Sequence, residues 1–269
     1  MERLRDDGLG PMPLRFTATA FTGRAGAVYR FAPAASVFAS VSNSFNRAPT
    51  LAQTPLANGP HEPEKGIQWE GGAKSELAGR RVLVTGTLFH IRKNNVLRPD
   101  PNFGPRGDNF AALLPVGEVV NRGVEFDATG RVTQSLSLIA NYAFLDSKIR
   151  ADRLTPSAVG RPMPNAVRHA FGLHARYEVK RTGTAFTAGR EARGEFFEPY
   201  AGTRSDGYGI WDFGVFQRAG RYLELRATVE NAGDKVYGTA LLFAARAGNM
   251  PGAPRTVTFS VRFLLPGRQ

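Results

Sequence analysis

The chain has 269 residues, 35 Lys plus Arg against 23 Asp plus Glu, a formal net charge of +12, 30 Gly, 18 Pro, 19 Phe and no cysteine. The missing cysteine excludes disulfides, thiolate metal sites and cysteine nucleophiles, and no run of 18 uncharged apolar residues exists to make a membrane-spanning helix. The 29 Arg and 6 Lys are scattered through every segment with no nucleic-acid module, so no nucleic-acid partner is expected; dispersed arginine suits a polar lumen or contact with lipid phosphates.

Residues 1–12 read as a short lead without the apolar core of a signal peptide, residues 13–264 as the folded body and residues 265–269 as a tail. From Leu14 to Phe45 three strands are expected, broken at Thr22-Gly23 and at Pro33. In the third, Val37, Ala39 and Val41 alternate with Ser36, Phe38, Ser40 and Ser42. Asn46 to Lys65 holds four prolines and no periodicity, as a long loop does. Gly66 to Glu76 and Arg80 to Leu97 form a pair across Leu77-Ala78-Gly79. Both parities of Val82 to Ile91 are apolar, which leaves their facing open. Arg98 to Gly117 is a second long loop.

The most regular stretch is Asn121 to Ile149. Val124, Phe126 and Ala128 alternate with Gly123, Glu125 and Asp127, and Leu136, Leu138, Ala140, Tyr142 and Phe144 alternate with Ser135, Ser137, Ile139, Asn141 and Ala143. A period of two puts each set on its own face. The turn is expected at Ala128-Thr129-Gly130-Arg131, with Gly130 supplying positive φ. Thr133 to Ser147 is about 15 residues, or roughly 50 Å of strand, well beyond the usual length. Thr133 to Phe144 would cross a bilayer core, which takes about 9–11 tilted residues, with Tyr142 and Phe144 at the outer interface. A long hairpin in a soluble β-protein has the same pattern.

Arg150 to Asn165 is again a long loop. Strands follow at Ala166–Val179, Thr184–Phe196 and Tyr208–Gln217, with a Lys180–Gly183 turn and a loop through Gly207. A turn at Arg218–Arg221 precedes Leu223 to Glu230. The loop Asn231–Pro254 has room for a helical turn or two at Thr239–Ala247. In the last strand Val257, Phe259, Val261 and Phe263 oppose Thr256, Thr258, Ser260 and Arg262. Long connections thus alternate strictly with short ones. Up-and-down strands would put all the long loops on one side, as in outer-membrane barrels, whereas Greek-key sandwiches have no reason to sort them. The expected fold is all-β: an antiparallel up-and-down transmembrane β-barrel segment of about twelve strands.

Five phrases, in order, carry a resemblance: GRAGAVYRF with SVFASVSNSFNRAP, EPEKGIQWEGGAKSEL, VTGTLFHIRKNNVL, NRGVEFDATG with LSLIANYAFLDSKI, and LELRATVENAGDKVYG with GAPRTVTFSVRFLL. Over nearly its whole length the chain resembles the C-terminal half of the barrel of TonB-dependent outer-membrane receptors, ferric-siderophore branch. The resemblance implies a 22-stranded barrel in the Gram-negative outer membrane, surrounded by lipid and lipopolysaccharide. It implies a ferric siderophore as ligand, and TonB as a partner reached through an N-terminal plug. Signal peptide, TonB-contacting segment and plug are not found in these residues, so binding and scaffolding without energised transport are expected of them. The outward row Val257, Phe259, Val261 and Phe263 resembles the terminal signal read by the barrel-assembly machinery, although family members tend to stop near the last aromatic and this chain runs on to Gln269.

On the long-loop side Phe103, Arg106, Phe110, Phe197, Tyr200, Arg204, Tyr208 and Trp211 are candidate ligand contacts, because aromatic and guanidinium groups suit anionic, ring-bearing chelates. No catalytic, cofactor or metal site is expected. His169 and His174 lie an odd number of residues apart and so face opposite ways on one strand. Asp212-Phe213-Gly214 lacks the companions of a kinase motif. Other readings of the same pattern are a smaller porin-like barrel for passive diffusion and a soluble β-rich binding module.

Overall fold

A computed structural model describes residues 19–47, 60–99, 113–198, 202–241 and 249–264. Eleven strands make one antiparallel sheet in which each pairs with the next along the chain. In order they are β1 (Arg24–Ala32), β2 (Ala35–Asn46), β3 (Glu64–Leu77), β4 (Val82–Pro99), β5 (Leu113–Arg131), β6 (Leu136–Ala151), β7 (His169–Val179) and β8 (Thr184–Arg193). Two short strands, β9 (Phe196–Glu198) and β10 (Thr203–Ser205), pair with each other outside it. β11 (Tyr208–Ala219) and β12 (Leu223–Glu230) resume the sheet. A second small hairpin, β13 (Gly238–Leu241) with β14 (Asn249–Pro251), precedes the last strand, β15 (Thr256–Phe263). Among the described residues β1 and β15 each leave one edge unpaired.

The up-and-down order is as expected, and the details differ. Of the first expected strand, residues 14–18 lie outside the described residues and 19–23 are not strand. β4 and β5 run 18 and 19 residues, so the expected loop at 98–117 begins later and ends earlier. The expected helical turn at Thr239–Ala247 is strand through Leu241, and the rest lies outside the described residues. The central turn sits at residues 132–135, beyond Gly130. There the Thr133 hydroxyl accepts the N–H groups of Ser135 (3.2 Å) and Leu136 (3.0 Å), the local side-chain turn for which Ser and Thr are suited. Gly130 is glycine for another reason. Its φ is +152°, and a Cβ there would lie 2.1 Å from the Arg81 carbonyl oxygen.

Register sorts the side chains onto two faces, because directly paired residues point the same way. One row runs Leu77, Val82, Gly130, Leu138, Ala175, Ala188, Phe213, Val229, Val257. A row of the opposite face runs Lys74, Thr85, Asp127, Asn141, Gly172, Glu191, Ile210. The first row starts beside the short turn of β3–β4 and ends near the long-loop end of β12–β15, the diagonal stagger of tilted barrel strands. The facing left open in the sequence is settled: Val82, Val84 and Leu88 join the apolar side, and Leu83, Phe89 and Ile91 the polar one.

Aromatics of the polar face are seated on glycines. Phe89 lies over Gly123 and Phe38 over Gly72, where a Cβ would come within 2.8 Å of each ring. A glycine across from an aromatic gives the ring a floor and hides the exposed backbone.

If the apolar rows meet hydrocarbon, Leu138→Arg, near the middle of the expected crossing, will lower unfolding stability by about 2–4 kcal/mol. Ile139→Arg, one residue on and facing the other way, will cost less than about 1 kcal/mol. Urea titration in lipid vesicles measures both.

Candidate functional site

The long-loop ends of the strands carry the structure's most specific side-chain chemistry. Above β4, β5 and β6, Arg98 and Asp152 form an ion pair (Nε to Oδ2, 3.2 Å) with side chains 1% and 0% exposed. Arg98 also donates to the Thr155 hydroxyl at 2.6 Å. The Asp152 carboxylate accepts the N–H groups of Leu154 (3.0 Å) and Thr155 (2.9 Å). Val116, Val119, Ile149 and Ala158 are fully buried beside the pair, with Val96 and Met163 packed against them. Ile149 exchanges backbone hydrogen bonds with the connection, donating to the Arg161 carbonyl and accepting from Gly160. The loop after β6 is therefore a small folded cap.

A second knot forms at Asn231, which has φ +47° and is 2% exposed. Its side-chain amide donates to the carbonyls of Lys235 (2.9 Å) and Ala253 (3.1 Å), and its Oδ1 accepts the Lys235 N–H (2.9 Å). Its own N–H donates to Asp212 Oδ1 at 2.8 Å. Asn231 thus ties both ends of the 231–255 connection to β11. The Tyr237 ring lies 4.3 Å from that of Tyr208, tilted by 35°, and covers Gly252, where a Cβ would come within 2.1 Å. Tyr208 is buried and donates to Glu191 Oε1 at 3.1 Å.

A third feature is a cleft of about 450 Å³ between the upper half of β6 and the connections around β7, β9 and β10. Phe197 and Arg204, paired across the β9–β10 hairpin, line it together with Asp146, Lys148, Arg168 and Glu195. Arg204 pairs with Glu195. Asp146 lies 2.9 Å from Arg122 and 3.6 Å from Lys148. Partial burial tends to raise the Asp146 carboxyl, but the Arg122 and Lys148 cations outweigh it and hold it below the usual carboxylate range.

The candidate contacts therefore separate. Phe197 and Arg204 share the cleft, Tyr208 faces the polar side beside Glu191, and Trp211 stands in the apolar row under the Arg190 guanidinium (4.9 Å). Phe103, Arg106, Phe110 and Tyr200 lie outside the described residues. Val257, Phe259, Val261 and Phe263 share the apolar face of β15, Phe259 being 77% exposed. Among the described residues no cluster of His, Asp and Glu could hold a metal. His169 and His174 do face opposite ways, pairing with Phe144 and Ile139. Sequence reasoning missed Arg98–Asp152 and the Asn231 knot, whose partners are 54 and 19 residues away; a turn-forming Asn directly after an alternating strand was the only local signal.

A family model described as TonB dependent receptor-like, beta-barrel, matches residues 5–232. The metal-pseudopaline receptor CntO of Pseudomonas aeruginosa is 30% identical over 254 residues, covering 91% of this chain and 34% of the relative. The ferrichrome outer membrane transporter/phage receptor of Escherichia coli K12 is 25% identical over 193 residues, or 71% of this chain and 25% of the relative. Among solved structures, the siderophore receptor PiuA of Acinetobacter baumannii superposes with a TM-score of 0.75 at 20% identity, covering 90% of this chain and 35% of that one. The ferric yersiniabactin uptake receptor FyuA of Yersinia pestis gives 0.72 at 20% identity, with 90% and 37% covered. The chain spans about a third of the length of the curated relatives that it matches over nine-tenths of its own.

Breaking one side of the buried ion pair leaves an uncompensated charge, at about 3–5 kcal/mol. Arg98→Met should therefore loosen the 152–168 cap, seen as faster limited proteolysis there, while the detergent-resistant gel mobility of the strands is kept.

Proposed function

Because this chain belongs to the TonB-dependent receptor-like β-barrel family, we propose that it forms wall and outer binding surface of a receptor for ferric siderophores or related metal chelates. Its place is the Gram-negative outer membrane, its role binding and not catalysis. The observation that carries the reading is the two-faced sheet. One face is continuously apolar along diagonal rows, and the other carries Lys74, Glu125, Asp127, Glu191 and Arg193. An aqueous lumen lined by such groups can pass a charged chelate, and an apolar exterior holds the strands in lipid.

The chelate would be met at the long-loop end. Tyr208, buried against the Tyr237 ring and anchored by Glu191, would brace the binding surface on the lumen side. Phe103, Arg106, Phe110 and Tyr200 bring aromatic and cationic groups of the same chemistry. Trp211 in this reading belongs to the interfacial belt. Energised transport depends on parts of the receptor other than the barrel wall, with TonB acting through the plug. The barrel-assembly machinery would read the outward row Val257, Phe259, Val261 and Phe263.

Refolded in detergent micelles, the chain should retain a ferric trihydroxamate or ferric catecholate in equilibrium dialysis, and Tyr208→Ala should weaken retention about tenfold, or about 1.4 kcal/mol. Retention no greater than by an unrelated porin, for every chelate class tried, contradicts the reading.

A further inference from the structure

The polar face of β7, β8, β11, β12 and β15 carries a cup of about 310 Å³ in the short-turn half of the sheet. Three paired rows build it. Arg176, Thr187, Gly214 and Thr228 stand side by side in the first, Phe216, Arg226 and Ser260 in the second, and Glu224 with Arg262 in the third. Arg176 follows Gly172 by four residues, as Gly214 follows Ile210, so these rows lie on the polar face. Val215 alone among the lining residues points the other way, between Gly214 and Phe216. Gly214 is the floor. A Cβ there would come within 2.5 Å of the Thr187 hydroxyl and 3.1 Å of the Thr228 methyl group, so its missing side chain leaves the hollow between them.

The charge of the cup is unbalanced. The guanidinium groups of Arg176, Arg226 and Arg262 line it against the single carboxylate of Glu224. That carboxylate, 13% exposed, is already met by Arg218 at 3.0 Å and Arg262 at 3.8 Å. Arg176 pairs with Glu178 at 3.0 Å and lies 5.4 Å over the Phe216 ring. Arg226 is exposed and its side chain has neither an ion pair nor a hydrogen bond among the described residues; the Thr187 and Thr228 hydroxyls are equally without partners there. Forked cationic donors beside free hydroxyls are suited to the oxygens of an oxyanion.

We propose that this cup is a second station on the lumen wall, one that takes small polycarboxylates or the carboxylate arm of a larger chelate, with Arg226 and Arg262 as principal contacts and Thr187 and Thr228 donating from the floor. The assignment rests on the receptor reading above, which makes the polar face a lumen. Spread and size set the ligand class. The guanidinium groups come from strands up to four inter-strand gaps apart, roughly 19 Å of wall at about 4.8 Å each. A compact ion meets only part of that spread, whereas an anion with carboxylates at several points can bridge it. The volume lies at the lower end of the range of about 300–1,000 Å³ for small-molecule sites, which is room for a polycarboxylate or for one arm. The cup is also separate from the long-loop surface, because Gly214 lies six residues from Tyr208 along β11, or roughly 20 Å. An anion released from the long-loop end meets it on the way to the short turns.

The test uses the full chain refolded in zwitterionic detergent micelles and titrated calorimetrically with tricarballylate, a metal-free tricarboxylate, with acetate and inorganic phosphate as competing ions. Tricarballylate should bind in the submillimolar range, and Arg226→Gln with Arg262→Gln should weaken it by about tenfold or more. Arg226→Lys, which keeps the charge and loses the fork, should hold it within about threefold. Arg181→Gln, at the β7–β8 turn and screened by salt, should leave it within about twofold. Absent binding, an unaffected double variant, an equal loss in Arg181→Gln, or displacement by acetate or inorganic phosphate at the concentration of tricarballylate would each overturn the assignment, as would displacement by a ferric trihydroxamate, which would make the cup and the long-loop surface one site. Dialysis of ferric chelates against the same samples separates the two ideas: a chain that retains a ferric chelate without binding tricarballylate sinks only the cup, and a chain that retains neither sinks the receptor reading with it.

Discussion

For a sheet whose apolar face meets hydrocarbon, one requirement governs the arrangement: each peptide group must find its hydrogen-bond partner within the protein. Among membrane-crossing designs a sheet of consecutive neighbours meets this by pairing each strand with the next, and that is the order of all eleven strands. Once the pairing is fixed, register decides everything about the faces. A slip of one residue in β5 would send Glu125 and Asp127 to the apolar face and Val124 and Phe126 to the polar one. Turns and close approaches hold that register. The Thr133 hydroxyl sets the β5–β6 turn, and Gly123 and Gly130 let neighbouring backbone carbonyls come where a methyl group would collide.

The sheet's two ends do different work. Toward the short turns, the chain needs only tight reversals, and Gly183 and Gly220 (φ +67° each) provide them. Toward the long loops it needs surfaces that keep their shape without a large core. The Arg98–Asp152 pair with its apolar collar, and Asn231 with its four hydrogen bonds, supply that locally. A buried ion pair adds little net stability compared with an apolar replacement, but it tolerates few alternative packings. That suits a rim whose purpose is to present side chains.

How much was legible follows the same physics. The β5–β6 hairpin could be read because long alternation is a local signal, and β15 for the same reason. The facing of Val82 to Ile91 could not, since both parities are apolar. It is decided by β5, where Gly123 makes room for Phe89. Gly130 looked like a turn residue because turns and close approaches both select glycine, and only the position of Arg81 across the sheet tells them apart. Of the ligand candidates, sequence chemistry chose residue types well suited to anions but could not tell which side of the wall each would face. Trp211 and Tyr208, three residues apart, fall on opposite sides.

The central claim is that the apolar rows meet hydrocarbon. Because the chain has no cysteine, single cysteines at positions 124–128 can each carry one spin label in lipid vesicles, and their accessibility to oxygen and to a water-soluble nickel chelate can be compared. The account predicts that labels at 124, 126 and 128 are relaxed by oxygen and shielded from nickel, and that those at 125 and 127 show the reverse. Equal accessibility at all five, or nickel access on the even positions, would contradict it.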